Sequence, residues 1–326
     1  MKKITLKSYA KINLSLDVLG LLPNGYHMVE MIMQQVGLHD EVTVSWDEFT
    51  ESENAEKIQS EISITSSSGN IPLDDSNLAY KGAKVMLAAS DKKGHVSIHI
   101  DKNIPVAAGL AGGSGNGAAV MLGLNHLMGT PYSLKELCDM GVKLGADVPF
   151  CIMGQAKANT HLSESINKSP LACTCALAEG IGEILTPLKP LDCKVLLSKP
   201  KIGVSTAEVY KGIDAELRFT KPESKEQIKC EHHIDTKTLI DAIKTLKFKQ
   251  ISEKMQNMLE LFTLKAYPNV MYTKNKIEEL GHAGKVLMSG SGPTVFALYF
   301  EDKGIEEDFR VLKEINEETF ITETLV

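Results

Sequence analysis

Hydrophobic and polar residues alternate with a period of two over residues 4–18, with Ile, Leu, Ala and Val on one face and Thr, Lys, Asn and Asp on the other. This alternation predicts a β-strand with one buried face and one polar face, bent near Ser8. Pro23-Asn24-Gly25 predicts a turn that ends the strand, and a second mixed apolar stretch follows over residues 28–44. Residues 47–70 are polar and rich in turn formers, which predicts a surface excursion with short strands.

A strand, a glycine-rich turn and a helix are predicted in that order near the middle of the chain. Residues 78–89 have helical spacing, and residues 96–100 alternate as a strand does. The glycine-rich turn comes next, and residues 118–128 then predict an apolar helix. Ser133 and Glu136 have the spacing of a capping box, which predicts another helix, and Gly145 predicts its end.

The second half of the chain predicts another α/β domain. Residues 155–175 lose periodicity and predict a loop or an insertion. Residues 193–197 predict a strand, residues 239–261 and 271–280 predict helices, and residues 286–300 predict two strands joined by the SGSGP segment. We therefore expect one domain over residues 1–190, with an insertion at 155–175, and a second over residues 191–326.

Composition narrows the classes of function. A length of 326 residues, with 43% hydrophobic and 24% charged residues, is typical of a two-domain soluble enzyme. A net charge of −7 argues against a nucleic-acid partner, and no run of about twenty apolar residues predicts a membrane span. The N-terminus lacks the apolar core of a signal peptide, and the six cysteines lack a disulfide-framework spacing. We expect a cytoplasmic protein with reduced thiols.

The glycine-rich turn is the first candidate for chemistry. Five glycines lie within nine residues, at positions 109, 112, 113, 115 and 117. Glycine permits the backbone geometry that turns successive N–H groups toward one anion, and the following helix N-terminus favours the same anion. Ser114 and Asn116 add side chains for a phosphate or a metal-bound water. Neither the Walker pattern nor the dinucleotide pattern fits the spacing, and a merely tight turn stays the alternative.

Four further residues are candidates, and for Lys11 and Asp147 the sequence leaves an alternative open. Lys11 lies two residues from Asn13 on the polar face of the first strand, so it points into a cleft or into solvent. Asp147 is a lone carboxylate in an apolar segment, and it either acts chemically or caps the next helix. Tyr26 and His27 follow a turn and suit contact with a ring. A zinc site is not expected at Cys173, Cys175, Cys230, His232 and His233, which lack C-x-x-C spacing.

Six segments, in order along nearly the whole chain, resemble the GHMP small-molecule kinases. They are YAKINLSLDVLG from Tyr9, NGYHMVEMIMQ from Asn24, IPVAAGLAGGS from Ile104, LGADVPFCIMG from Leu144, LAEGIGEILTPL from Leu177 and VLMSGSGPTVFAL from Val286. The resemblance implies an α+β, two-lobed fold with an N-terminal ribosomal-S5-like ATP-binding domain and a C-terminal ferredoxin-like α/β domain. It also implies an ATP- and Mg²⁺-dependent kinase, active as a monomer or homodimer on a cytidine diphosphate-linked methylerythritol in isoprenoid precursor synthesis.

The resemblance also assigns roles to residues of this chain. Asp147 matches the catalytic carboxylate that takes or orients the proton of the acceptor hydroxyl, and Lys11 matches the lysine that stabilises charge. Asn13, Tyr26 and His27 match positions that hold the substrate. The ATP phosphates are expected at Pro105, Val106, Ala107, Ala108, Gly109, Leu110, Ala111, Gly112, Gly113, Ser114, Gly115 and Asn116.

Two departures from the family pattern keep alternatives open. The chain has Gly115 where the family usually has a second serine, and Gly117 adds another glycine. The family also runs almost directly from a strand at residues 151–154 into the LAEG segment, without the stretch at 155–175. The alternatives are therefore another GHMP kinase with a different alcohol as substrate, or a protein of this fold that binds a nucleotide without catalysis.

Overall fold

Two long strands begin the chain, β1 (Lys2–Leu21) and β2 (His27–Glu48). The computed structural model describes residues 1–49, 60–222, 230–301 and 303–326, so part of the predicted excursion at 47–70 lies outside the described residues. Contacts divide the chain into two compact units. The first contains Met1–Ala10, His39–Val106 and Ala111–Thr174, and the second contains Lys11–Leu38, Ala107–Leu110 and Cys175–Val326. The boundary after residue 190 stays a prediction.

The first unit combines a sheet with a group of packed helices. Besides the ends of β1 and β2, its elements are β3 (Glu61–Ser66), α1 (Leu78–Ala89), β4 (Gly94–Asp101), α2 (Gly112–Leu127), α3 (Leu134–Gly141), α4 (Val148–Ala158) and α5 (Glu164–Asn167). Strand β4 pairs antiparallel with β2, with Glu41 opposite Asp101, and parallel with β3. The predicted capping box is confirmed at the start of α3, although that helix ends at Gly141, before Gly145.

Helix α2 is the central helix of the first unit and packs against both α1 and α4. Its contact with α1 depends on glycines. A Cβ atom on Gly82 of α1 would lie 2.9 Å from the carbonyl oxygen of Gly117, and one on Gly117 would lie 3.0 Å from the carbonyl oxygen of Leu78. Gly117, which departs from the family pattern, therefore permits the close approach of two helices.

The second unit contains a four-stranded antiparallel sheet in the order β10-β7-β9-β8. Its elements are β5 (Cys175–Glu179), β6 (Ile184–Pro187), β7 (Lys194–Lys199), α6 (Thr206–Glu216), α7 (Thr236–Lys244), α8 (Phe248–Lys254), α9 (Glu260–Ala266), α10 (Pro268–Leu280), β8 (Lys285–Met288), β9 (Val295–Tyr299), α11 (Ile305–Ile315) and β10 (Glu318–Glu323). The order of β7, β8, β9 and β10 along the chain and across the sheet is that of a ferredoxin-like domain. Strand β2 pairs with β5, and β5 pairs with β6. The expected α+β fold is confirmed.

Three expectations about individual elements are wrong. The polar face of β1 is exposed only at Thr5 and Lys7, and later polar residues such as Asn13 and Asp17 have no exposed surface. Residues 151–154 lie within helix α4, and the stretch 155–175 contains the end of α4 and all of α5. Residues 239–261 fall in three helices, α7, α8 and α9, because the chain leaves helical geometry between them.

Each of the six cysteines lies in the described residues, and none forms a disulfide. Within the same residues, no helix is both long enough and apolar enough to cross a membrane.

Candidate active site

The backbone of the glycine-rich turn (residues 105–116) alternates into the left-handed region. Ala107, Gly109 and Ala111 have φ angles of 50°, 74° and 55°. Such alternation directs backbone N–H groups toward a common anion. For the two alanines the left-handed geometry costs about 1–2 kcal/mol each, and strain of this kind concentrates at functional sites.

Helix α2 begins immediately after this turn, and its N-terminus is suited to an anion. Ala111 occupies the N-cap position without a side-chain capping bond, and the first turn contains no acidic residue. The first N–H groups of a helix have no partner within the helix, and the helix dipole adds partial positive charge there. Gly113 is exposed, whereas the helix is buried from Gly115 onward. An anion can therefore reach the first turn of α2.

In the second unit, the loop between β8 and β9 supports residues 107–110 of the glycine-rich turn. Ser289 Oγ donates a hydrogen bond to the carbonyl oxygen of Gly109 at 3.0 Å. A Cβ atom on Gly109 would lie 2.4 Å from the carbonyl oxygen of Ser289 and 2.8 Å from that of Gly292. Gly109 is therefore required both by its φ angle and by this close contact. The sequence predicted the loop as a hairpin turn, but local patterns gave no indication of this contact.

Lys11 is a buried side chain, with only 5% of its surface exposed. The alternative of a solvated strand lysine is therefore wrong. Its Nζ donates to Asn13 Oδ1 at 2.8 Å, and its backbone N–H donates to the carbonyl oxygen of Leu110 at 3.1 Å. Asn13 Oδ1 also accepts from the N–H of Gly290 at 3.1 Å. Within the second unit, Lys11 and Asn13 thus lie beside residues 107–110 and the β8–β9 loop.

Asp147 occupies the N-cap position of α4, but its side chain makes no capping hydrogen bond. Asp147 therefore lies at the position of a helix-capping residue, but its carboxylate does not cap the helix.

Helix α4 is joined to α2 by the fully buried Gln155, whose Nε2 donates to the carbonyl oxygen of Gly115 at 2.9 Å. Local sequence gave no indication of this role, because the stretch from Gln155 onward lacks periodicity and predicts a loop.

Gly115 lies against strand β1 in the first unit. A Cβ atom at this position would lie 2.7 Å from Ser8 Oγ. In the described part of the chain, Ser8 Oγ and Asn116 Oδ1 are buried atoms without a hydrogen-bond partner. A serine at position 115 would therefore be too close to the serine at position 8, which occupies the adjacent space.

Tyr26 and His27 lie in the second unit, at the beginning of β2. Tyr26 exposes 60% of its surface. The His27 side chain is largely buried, and its Nε2 lies 2.6 Å from Asp214 Oδ1. An exposed aromatic ring next to a fixed imidazole is suited to binding a flat heterocycle.

The glycine-rich turn fits a polyphosphate, since its backbone N–H groups and the start of α2 supply donors without competing acidic groups. Among the residues that the structure describes, no three or more His, Cys, Asp or Glu side chains form a group that could hold a metal ion. A Mg²⁺ ion commonly binds through one or two protein groups, several waters and the phosphates of its nucleotide. The site fits that mode of binding, with Ser114 as the candidate protein group, whereas the Asn116 side chain, also predicted to face the phosphates, is buried.

Two family models match the chain. The GHMP kinases N-terminal domain matches residues 77–155, and the GHMP kinases C-terminal domain matches residues 239–317. The first match includes the whole glycine-rich turn and Asp147.

Similar proteins extend the match to nearly the full length. The 4-diphosphocytidyl-2-C-methyl-D-erythritol kinase of Alkaliphilus metalliredigens (strain QYMF) is 43% identical over 300 residues, covering 92% of this chain and 89% of that protein. The protein of the same name from Alkaliphilus oremlandii (strain OhILAs) is 40% identical, covering 99% of this chain and 97% of that protein. A crystal structure of 4-(cytidine 5'-diphospho)-2C-methyl-D-erythritol kinase has a TM-score of 0.73 and 25% identity, covering 98% of this chain and 99% of that one.

Proposed function

The chain belongs to the GHMP kinase family, and from this premise we propose that it transfers the γ-phosphoryl group of ATP to the 2-hydroxyl of 4-diphosphocytidyl-2-C-methyl-D-erythritol. It is an ATP-dependent small-molecule kinase. The observation that carries this reaction class is the left-handed turn at residues 107–111, which leads directly into the uncapped N-terminus of α2. The identity of the acceptor alcohol rests on the names of the full-length relatives.

We assign the phosphates of ATP to the backbone N–H groups of residues 105–116. Phosphoryl transfer requires alignment of the reactants and stabilisation of negative charge more than covalent chemistry by the protein. Mg²⁺, when bound with ATP, supplies neutralising charge on the phosphate oxygens. The turn contributes fixed dipoles, which need no reorganisation during the reaction.

Lys11 and Asp147 are the proposed catalytic residues. The Lys11 ammonium stabilises negative charge that develops during transfer, and Asn13 holds it in place through the 2.8 Å hydrogen bond. The Asp147 carboxylate orients the acceptor hydroxyl and accepts its proton. Because this carboxylate makes no capping hydrogen bond, that interaction does not compete with its proposed role.

Asn13, Tyr26 and His27 are proposed to bind the acceptor substrate. The exposed ring of Tyr26 offers a face on which a pyrimidine can stack, and His27 offers a polar ring edge. We further propose a cytoplasmic enzyme, supported by six cysteines without a disulfide, and a monomer or a homodimer.

A competition assay tests the acceptor. The purified protein is given ATP, Mg²⁺ and an equimolar mixture of 4-diphosphocytidyl-2-C-methyl-D-erythritol, mevalonate and homoserine, and the products are separated by mass spectrometry. We expect one phosphorylated product, from the cytidine-containing alcohol. A phosphorylated mevalonate or homoserine would identify a different kinase of the same family. ATP-dependent thermal stabilisation without any phosphorylated product would favour a binding protein.

A further inference from the structure

Two side chains of α6 hold the His27 imidazole from different directions. Tyr210 and Asp214 are four residues apart, so they project from the same face of this helix. The Tyr210 ring lies 4.7 Å from the His27 ring, centroid to centroid, with an interplanar angle of 32°. The Asp214 carboxylate lies 2.6 Å from Nε2 at the edge of the imidazole. The Tyr210 ring therefore fixes the plane of the imidazole, and the Asp214 carboxylate fixes its rotation within that plane.

The contact with Asp214 also decides which ring nitrogen faces a ligand. An ionised carboxylate only accepts hydrogen bonds, so Nε2 carries the proton and donates it to Asp214. A histidine whose one nitrogen is bound in this way has a defined tautomer and orientation, and its other nitrogen is directed elsewhere. Nδ1 is therefore the ring nitrogen that remains for contact with a ligand. Only 10% of the His27 side chain is exposed, which limits other orientations.

We propose that Asp214 is a positioning residue for recognition of the pyrimidine end of the acceptor substrate. Asp214 acts through His27, whose Nδ1 it aligns with a polar group on the edge of the base. This inference rests on the proposed function. Aligned polar contacts of this kind discriminate strongly between ligands, because a mismatched ligand leaves a partly buried polar group unpaired. Tyr26, next in sequence to His27, has an exposed ring that offers apolar surface for stacking.

A purely structural role for Asp214 would be to fasten α6 to the start of β2. The two roles differ in what they change. Loss of a fastening lowers the stability of the fold, and it does not single out one substrate. Loss of a positioning residue raises the KM for the cytidine-containing substrate, while kcat and the KM for ATP stay nearly constant, because the glycine-rich turn and Asp147 are unaltered.

The test compares Asp214→Asn and Asp214→Ala with Glu216→Gln as the matched control. Glu216 is on the same helix, and its carboxylate pairs with Lys265 at 2.7 Å, away from His27. We expect Asp214→Ala to raise the KM for the acceptor about tenfold, which corresponds to about 1.4 kcal/mol. The KM for ATP and kcat should change less than about twofold, and Glu216→Gln should behave like the unaltered protein.

Nitrogen-15 NMR of the histidine side chains gives a second readout that does not depend on turnover. We expect the His27 resonances to show a protonated Nε2, and this state to be lost or mixed in Asp214→Asn. An unchanged acceptor KM in both Asp214 variants would overturn the inference, as would equal increases in the KM for ATP and for the acceptor. Absence of turnover in the unaltered protein would instead contradict the proposed function, and the NMR spectra would still decide whether Asp214 orients His27.

Discussion

Replacing Gly115 with alanine places a methyl group where α2 passes closest to β1. The new Cβ atom would lie 2.7 Å from Ser8 Oγ, a separation too short for two non-bonded atoms. Ser8 is fully buried, so its hydroxyl cannot move into solvent to make room. The next nearest atoms are Gln155 Nε2 at 3.4 Å and the carbonyl oxygen of Tyr9 at 3.5 Å, both at ordinary contact distance. The steric conflict is therefore with one atom.

The size of the effect follows from two opposing contributions. Alanine stabilises a helix by about 1 kcal/mol relative to glycine. Overpacking a close-packed site typically costs about 1–3 kcal/mol. We therefore expect Gly115→Ala to lower the free energy of unfolding by about 1 kcal/mol. In a Ser8→Ala background the conflicting oxygen is gone, and the same substitution should raise the free energy of unfolding by up to about 1 kcal/mol.

Urea denaturation of the two single variants and the double variant measures this coupling. Ser8→Ala alone should be nearly neutral, since Ser8 Oγ has no hydrogen-bond partner among the described residues. Gly113→Ala is the matched control, because a Cβ atom there would meet only Leu78 Cδ1, at 3.8 Å. A destabilising Gly115→Ala effect of the same size with and without Ser8 Oγ would contradict a steric conflict between these two residues, and so would a stabilising effect in the unaltered background.

Three further predictions concern catalysis, thiol chemistry and pH. Asp147→Asn should reduce turnover at least a hundredfold while the Kd for ATP changes less than about threefold, and loss of ATP binding would contradict the proposed role. Because Cys230 is the one exposed cysteine and burial raises the pKa of Cys138 and Cys193 to about 12, a thiol-specific reagent at neutral pH should label one cysteine in the native protein and six in denaturant. The Asp308 carboxylate accepts a hydrogen bond from His282 at 2.7 Å and raises the pKa of this histidine. The contribution of His282 to stability is therefore fully present at low pH and is lost as the pH rises through the raised pKa. The difference in unfolding free energy between the unaltered protein and His282→Gln should therefore be largest below about pH 6.5, the ordinary pKa of histidine, and shrink as the pH rises through the raised pKa; a difference that grows would contradict this sign.

Local sequence patterns were sufficient to predict the elements around the glycine-rich turn. The strand at 96–100, the turn and the apolar helix are present as β4, the left-handed segment and α2. Each is determined by neighbours in sequence, namely by alternation, by glycine content and by helical spacing. The capping box of Ser133 and Glu136 is likewise local, and it was predicted correctly.

Contacts between distant parts of the chain were not predictable in this way. On the later part of β1, the carboxylate of Asp17 is buried because partners from elsewhere in the chain, His233 and Ile234, bind it. Only the start of helix α4 was predicted, after Asp147, because its residues are nearly all buried and a helix that is apolar on every side has no periodic pattern.

In the candidate site, too, contacts between distant parts of the chain could not be predicted from the sequence. The resemblance indicated which residues are candidates, but it gave no information about the side chains that hold them. Asp214 is 187 positions from His27 in sequence, and Gln155 is 40 positions from Gly115. Such pairs become visible only when the fold brings them together.

Phosphorus-31 NMR of the reaction mixture follows the proposed phosphoryl transfer itself. The purified protein is incubated with ATP, Mg²⁺ and 4-diphosphocytidyl-2-C-methyl-D-erythritol, and the spectrum is followed over time. We expect a new phosphomonoester resonance that grows in step with ADP, with the phosphoryl group on the 2-hydroxyl and the diphosphate of the substrate intact. A folded protein that binds ATP and leaves the acceptor unchanged, or that phosphorylates a different hydroxyl, would contradict the proposed function.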